Sequence, residues 1–152
     1  MRQISKTISE FLGKDTHGFL SPDASVADAV SLMRDDDLSC VLVMKEDSLT
    51  GIFTERDLLT RVMESDRGFD EISLSEVMTP QPISLTAEAG IAFAINEMAV
   101  GGFRNLPIVE GKSVNLLTVH DIIRHLAELF DELEAPENDA NDASWIDIGG
   151  QG

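Results

Sequence analysis

Two short stretches bring an alcohol and a carboxylate together at one spacing: Thr54-Glu55-Arg56-Asp57 and Thr118-Val119-His120-Asp121. A carboxylate suits a sugar, because its oxygens accept hydrogen bonds from both cis hydroxyls of a ribose. Asp57 and Asp121 are placed for that role. The hydroxyls of Thr54 and Thr118 open a helix, where free N–H groups and the positive end of the dipole attract anions, and they suit a phosphate. Gly51 removes a side chain where its strand would approach such a ligand. Thr-x-x-Asp is also the pattern of a helix-capping box, in which side chain and backbone satisfy each other. Both readings stay open, and the same residues can do both jobs.

Around these stretches the cations able to meet an anionic ligand are Arg56, Arg104, Arg124 and His120, although Arg56 and Arg124 could equally be solvated helix residues. His120 and His125 are five apart, roughly 140° around a helix, which is not the i, i+4 spacing of a metal pair. The run Asp35-Asp36-Asp37 lacks the glycine and distal glutamate of a calcium loop and reads as a solvated turn. Cys40 is the single cysteine, so no internal disulfide forms, and among Val41, Leu42 and Val43 it reads as a small core residue. The chain has no Walker loop, no Gly-x-Ser-x-Gly and no His-Glu-x-x-His, and its three histidines lack recognisable partners. The expectation is a protein that is not an enzyme and carries no catalytic residue, metal or cofactor.

The elements that position these residues occur twice. Ser25 caps a helix with apolar face Val26, Ala29, Val30 and Met33, and Asp28 stands at its capping-box position; 65 residues on, Ile91, Ala94, Ile95 and Met98 repeat the face. Each helix is followed by a short apolar strand, Val41-Leu42-Val43-Met44 or Leu106-Pro107-Ile108-Val109, then a polar turn and a second strand leading into Thr-x-x-Asp. There the shift is 64, which the sequence reading assigns to one residue lost from the turn. A second helix follows, with Leu58, Leu59, Val62 and Met63 in one copy and Ile122, Ile123 and Leu126 in the other. Ser9-Glu10-Phe11-Leu12 matches Ser75-Glu76-Val77-Met78, and short strands at Phe19-Leu20 and Ile83-Ser84 open the repeats. The expected class is α/β (α+β): two βαββα repeats, residues 4–66 and 70–130, packed as a pseudo-twofold pair because neither half covers its small sheet alone. Residues 64–81 read as the surface link between them.

With these landmarks in order, the chain resembles a known family. Gly51-Ile52-Phe53-Thr54-Glu55-Arg56-Asp57 is similar to the Gly-x-x-Thr-x-x-Asp signature of cystathionine β-synthase (CBS) domains, and Val77-Met78-Thr79-Pro80, Leu106-Pro107-Ile108-Val109 and Leu117-Thr118-Val119-His120-Asp121 resemble its other landmarks over about residues 4 to 127. The resemblance implies a tandem pair, or Bateman module, with two clefts between the halves that commonly bind AMP, ADP, ATP or S-adenosylmethionine and thereby regulate a partner or attached domain. It carries ligand contact to Phe19 and Leu20, to Ile83 and Ser84, and to Arg104 and Asn105, where the family often has basic residues touching phosphates. The second repeat departs at Asn115, where the signature glycine belongs, and the first offers Ser39-Cys40 in place of a basic residue. With no room for an attached enzyme, the implied form is a stand-alone module acting in trans on an unidentified protein. The alternative is a dimerisation and interaction module whose clefts stay empty.

Bulk properties bound both readings. The chain of 152 residues is 43% hydrophobic and 26% charged, a composition that excludes a disordered, collagenous or disulfide-scaffold protein. Its longest apolar runs fall far short of the roughly 20 residues of a membrane span. A net charge of −17 disfavours nucleic acid, which rewards a clustered basic surface. From Glu128 onward there are eight acidic residues and no Lys or Arg, leaving 20 acids against 11 bases in residues 1–127. Residues 131–152 therefore read as an acidic, disordered tail, with Trp145 and Ile146 as a candidate docking peptide. The last helix continues its apolar register through Leu129, Phe130 and Leu133, either onto the protein's own core or as a homodimer or partner surface. The N-terminus shows no apolar secretory region, and the expected location is cytoplasmic.

Overall fold

The computed structural model describes residues 6–13 and 17–134; the candidate docking residues Trp145 and Ile146 lie outside these. Helix α1 (Val26–Asp35) begins on a complete capping box: the Asp28 N–H donates to Ser25 Oγ and the Ser25 N–H to Asp28 Oδ2, each at 3.1 Å. It ends where Asp37 takes a left-handed backbone at φ 53°, and 65 residues later Gly102 ends α4 (Ile91–Gly101) at φ 72°. The duplication extends to the helix stops.

Strands β1 (Phe19–Leu20), β2 (Cys40–Lys45), β3 (Ser48–Thr54) and β4 (Thr79–Pro80) form one sheet in that order, with β1 parallel to β2 and the other pairs antiparallel. In the second half, β5 (Asn105–Glu110) and β6 (Ser113–Thr118) form an antiparallel hairpin. The strand expected at Ile83-Ser84 is not formed. A single parallel bridge joins Leu85 to Ile108 instead, with the Leu85 N–H donating to Pro107 O at 3.0 Å and the Val109 N–H to Leu85 O at 2.8 Å. Leu85 pairs with Ile108 as Leu20 pairs with Val43, so the repeat offset here is 65, and Pro82 just upstream has no N–H to offer a ladder.

The lost residue also lies elsewhere than expected. Both hairpin turns hold two residues, 46–47 and 111–112. The extra residue is Thr50, bulged from β3 between Leu49, paired with Met44, and Gly51, paired with Val43. Its hydroxyl donates to Val43 O at 3.1 Å, and β6 has no such bulge.

Each sheet buries an apolar face under its helices. The first core holds Val26, Ala29, Met33, Val41, Val43, Phe53 and Val62; the second holds Ala94, Met98, Leu106, Ile108, Leu117 and Ile122. Each is closed by the segment that precedes the other repeat. Ile8 and Phe11 complete the second core, while Ile72, Leu74 and Val77 complete the first. Antiparallel bridges from Thr7 to Gly90 and from Ser25 to Ser73 anchor these crossings. The first arm carries a 3-10 turn (Ile8–Glu10) and the second a short helix, α3 (Leu74–Val77). At α3 the Ser73 N–H donates to Glu76 Oε2 at 2.9 Å; the Arg67 guanidinium, then this N–H, hold the Glu76 carboxyl down to about 2. A third cluster of Cys40, Leu42, Ile52 and Leu116 joins β2 and β3 to β6, so the halves meet along their sheets.

Helix α2 (Glu55–Asp57) widens into a π turn over Leu58–Val62, closed by the Met63 N–H donating to Leu58 O at 3.0 Å. Val62 is buried and Leu58 packs on the core, but Leu59 and Met63 face outward, so half of the expected apolar face is unused. Helix α5 (Val119–Glu134) buries Ile122 and leaves Ile123, Leu126, Phe130 and Leu133 exposed. Its long stripe does not pack on the chain's own core.

Candidate functional site

Both Thr-x-x-Asp stretches are capping boxes, and each spends one carboxylate oxygen on the cap. The Thr54 N–H donates to Asp57 Oδ2 at 3.0 Å and the Asp57 N–H to Thr54 Oγ1 at 3.2 Å. The Thr118 N–H donates to Asp121 Oδ2 and the Asp121 N–H to Thr118 Oγ1, each at 3.0 Å. Both aspartates are 5% exposed and are the buried charged residues among those described. A charge so placed is costly unless hydrogen-bonded.

The second oxygen distinguishes them. Asp57 Oδ1 accepts from Thr79 Oγ1 at 3.2 Å and pairs with Arg61 Nε at 3.5 Å, while the Thr54 hydroxyl adds a bond to Oδ2 at 3.1 Å. Arg61 also donates to Met78 O at 2.8 Å, tying the lead-in of β4 to α2. Gly51 serves the same closure: a methyl added there would meet Met78 Sδ and stand 3.0 Å from Thr79 O. The space that the sequence reading reserved for a ligand beside Gly51 is filled by the chain itself.

Asp121 Oδ1 has Arg124 Nη2 at 3.6 Å, and Asp121 lines a cleft of about 530 Å³ between the repeats. The first repeat contributes Gly18, Ser39, Cys40 and Leu42, with Asp36 to Leu38 from the loop after α1; the second contributes Leu116, Thr118, His120, Asp121 and Arg124. Gly13 and His17 complete the wall, and a methyl on Gly13 would come within 2.7 Å of Asp121 Oδ1. The His17 imidazole donates to Asn115 Oδ1 at 2.5 Å, the same oxygen that accepts from the Leu116 N–H at 2.8 Å. Ser39 Oγ reaches Asn105 Oδ1 at 3.3 Å, a second stitch between the halves. Burial, then the Glu55 carboxylate, push the Cys40 thiol up to about 12, so it presents a neutral, weakly polar wall.

Of the residues singled out from sequence, Thr118, His120, Asp121 and Arg124 share this cleft, and Asn105 touches its wall at Ser39. Gly51, Thr54, Arg56 and Asp57 are not part of it. Phe19, Ile83 and Ser84 are exposed, and Leu20 turns into the first core. Arg104 is exposed, and its carbonyl accepts from the Val119 N–H at 2.9 Å. Sequence reasoning missed Gly13, His17 and Gly18, because a cleft assembled from the strand ends of one copy and the cap of the other leaves no local spacing to read. Among the described residues no three metal-ligating side chains stand together, and no helix is long and apolar enough to cross a membrane.

A family model described as CBS domain matches residues 17–64 and 74–128. The chain is 32% identical over 123 residues to the CBS domain-containing protein CBSCBSPB1 of Arabidopsis thaliana, a match covering 80% of this chain and 22% of that protein. The chain thus spans about a fifth of the length of such curated relatives. The crystal structure of a CBS domain, NE2398, superimposes with a TM-score of 0.75 at 28% identity, covering 80% of this chain and 98% of that one. CBSX2, crystallised in complex with AMP, shares the fold with a TM-score of 0.68 at 21% identity over 81% of this chain and 97% of its own. Both copies of the repeat are matched, and the chain belongs to the CBS-domain family, with two CBS domains in tandem.

Proposed function

We propose that this CBS pair is a regulatory module that takes an adenosine-containing ligand (AMP, ADP, ATP or S-adenosylmethionine) into the cleft lined by Asp121, and so modulates a partner protein. One observation carries the reading: the two buried aspartates spend Oδ2 alike, but Asp57 Oδ1 is used up by Thr79 and Arg61 while Asp121 borders a cleft of about 530 Å³. That volume lies within the roughly 300–1,000 Å³ of small-molecule sites. Asp121 would accept from the ribose hydroxyls, and the Thr118 hydroxyl, whose oxygen already accepts from the cap, keeps its proton for the ligand. Leu42, Leu116 and Cys40 offer an apolar wall to a base. The complex of CBSX2 with AMP supports the ligand class. A ligand held by both repeats shifts an equilibrium only by binding one arrangement better, and regulation would follow from that difference.

The reading gives one ligand per chain. Calorimetric titration with the four compounds tests it: Asp121→Ala removes charged hydrogen bonds worth about 1.5–3 kcal/mol and weakens binding roughly ten- to a hundredfold. Asp57→Ala leaves affinity within about twofold but lowers unfolding stability by ~2 kcal/mol, because Thr54 and Arg61 lose a buried partner. Loss of binding in Asp57→Ala with none in Asp121→Ala would assign the wrong cleft.

A second reading, an interaction module with empty clefts, draws on the exposed Phe93 and Val100 of α4 and Phe130 and Leu133 of α5. Partner capture that survives exhaustive nucleotide removal, with no thermal shift on adding nucleotides, would select it.

A further inference from the structure

We infer that the Asp121 cleft selects adenosyl ligands of low negative charge, and that Asp36 and Asp37 impose this selectivity; the inference rests on reading the cleft as an adenosyl site. Among its described lining residues, Asp36, Asp37 and Asp121 face one guanidinium, that of Arg124. Carboxylates thus outnumber guanidinium groups by two among the described lining residues. Arg124 stands 3.6 Å from Asp121, and His17 is engaged by Asn115, so neither is a dedicated phosphate clamp. Asp36 and Asp37 are exposed and follow directly on α1, whose C-terminal end adds the negative pole of a ten-residue helix. The positive pole of α5 points the other way, but the Asp121 carboxylate that caps it already meets that pole.

Adenosine brings no charge into this field, whereas each added phosphate brings roughly one to two negative charges. Across a few ångströms of partly solvated cleft, with screening over about 8–10 Å, the repulsion on a triphosphate amounts to about tenfold in affinity. Arg104, the residue expected to receive phosphates, lies outside the cleft and does not offset it.

The test is a titration series of adenosine, AMP, ADP and ATP, magnesium-free, on the full chain and on the double variant Asp36→Asn, Asp37→Asn. Asparagine adopts the left-handed backbone of position 37 as readily as aspartate, so the variant keeps the fold, with an unchanged melting temperature as the check. Expected are a stepwise loss of affinity along the series, ATP at least about tenfold weaker than adenosine, a gap that narrows in 0.5 M salt, and a further narrowing of threefold or more in the double variant. ATP binding as tightly as adenosine or tighter overturns the inference and leaves the adenosyl site standing. An unchanged gap in the double variant overturns the assignment to Asp36 and Asp37. No binding of any of the four overturns both the inference and the site.

Discussion

Two aspartates that are interchangeable on paper do different work once the chain folds. Both cap a helix through Oδ2, yet Thr79 and Arg61 take the remaining oxygen of Asp57, while Asp121 retains a cleft beside it. Their common pattern was legible because an alcohol three residues before a carboxylate has a local geometry. Which carboxylate is left bordering a cleft was not, since it depends on Thr79, 22 residues downstream of Asp57. Cys40 shows the same division: its place in the core follows from its apolar neighbours, but its elevated pKa follows from burial between two sheets. The unfolded thiol ionises near 9.0 and the folded thiol holds its proton to about 12, so the folded state binds more protons in that window and stability falls as pH rises through it. Urea unfolding between pH 9 and 11 is expected to cost the wild type ~1 kcal/mol per pH unit more than the Cys40→Ala variant. Parallel slopes would refute the assignment.

At the level of elements, caps, helix faces and hairpins were readable because their signals lie within one or two turns of chain. Bulge and bridge were not. Thr50 leaves the ladder, and Leu85 takes the pairing expected of Ile83 and Ser84, for reasons that involve partners across the sheet. The crossing of the two capped segments is likewise invisible to periodicity: Ser9-Glu10-Phe11-Leu12 looks like the opening of its own repeat but packs on the other. Ile8, fully buried against Ala94, Leu106 and their neighbours, makes this testable. Ile8→Ala is expected to cost about 2–5 kcal/mol, read by chemical denaturation. Hydrogen exchange is expected to quicken first in α4 and β5 rather than in α1, where its sequence position would put the damage.

At the scale of the molecule, the pseudo-twofold pairing could be anticipated because neither sheet can cover itself, but the unequal fate of its two clefts could not. The outer surface carries a further imbalance. Phe93, Val100, Phe130 and Leu133 are each more than half exposed in a chain of net charge −17, and such apolar area on α4 and α5 fits a face shared with a second copy. Sedimentation is expected to give a dimer for the wild type and a monomer for Phe130→Glu with Val100→Glu, while affinity for the cleft ligand changes less than about twofold. A monomeric wild type would remove homodimerisation from the account.

The exchange of closing segments also sets a timetable. Residues 7–11 are made before the rest of this pair, yet the seat they fill is finished only when Ile122 has been made. This stretch therefore waits, unsatisfied, while the two repeats are synthesised, and the unit locks as a whole instead of repeat by repeat.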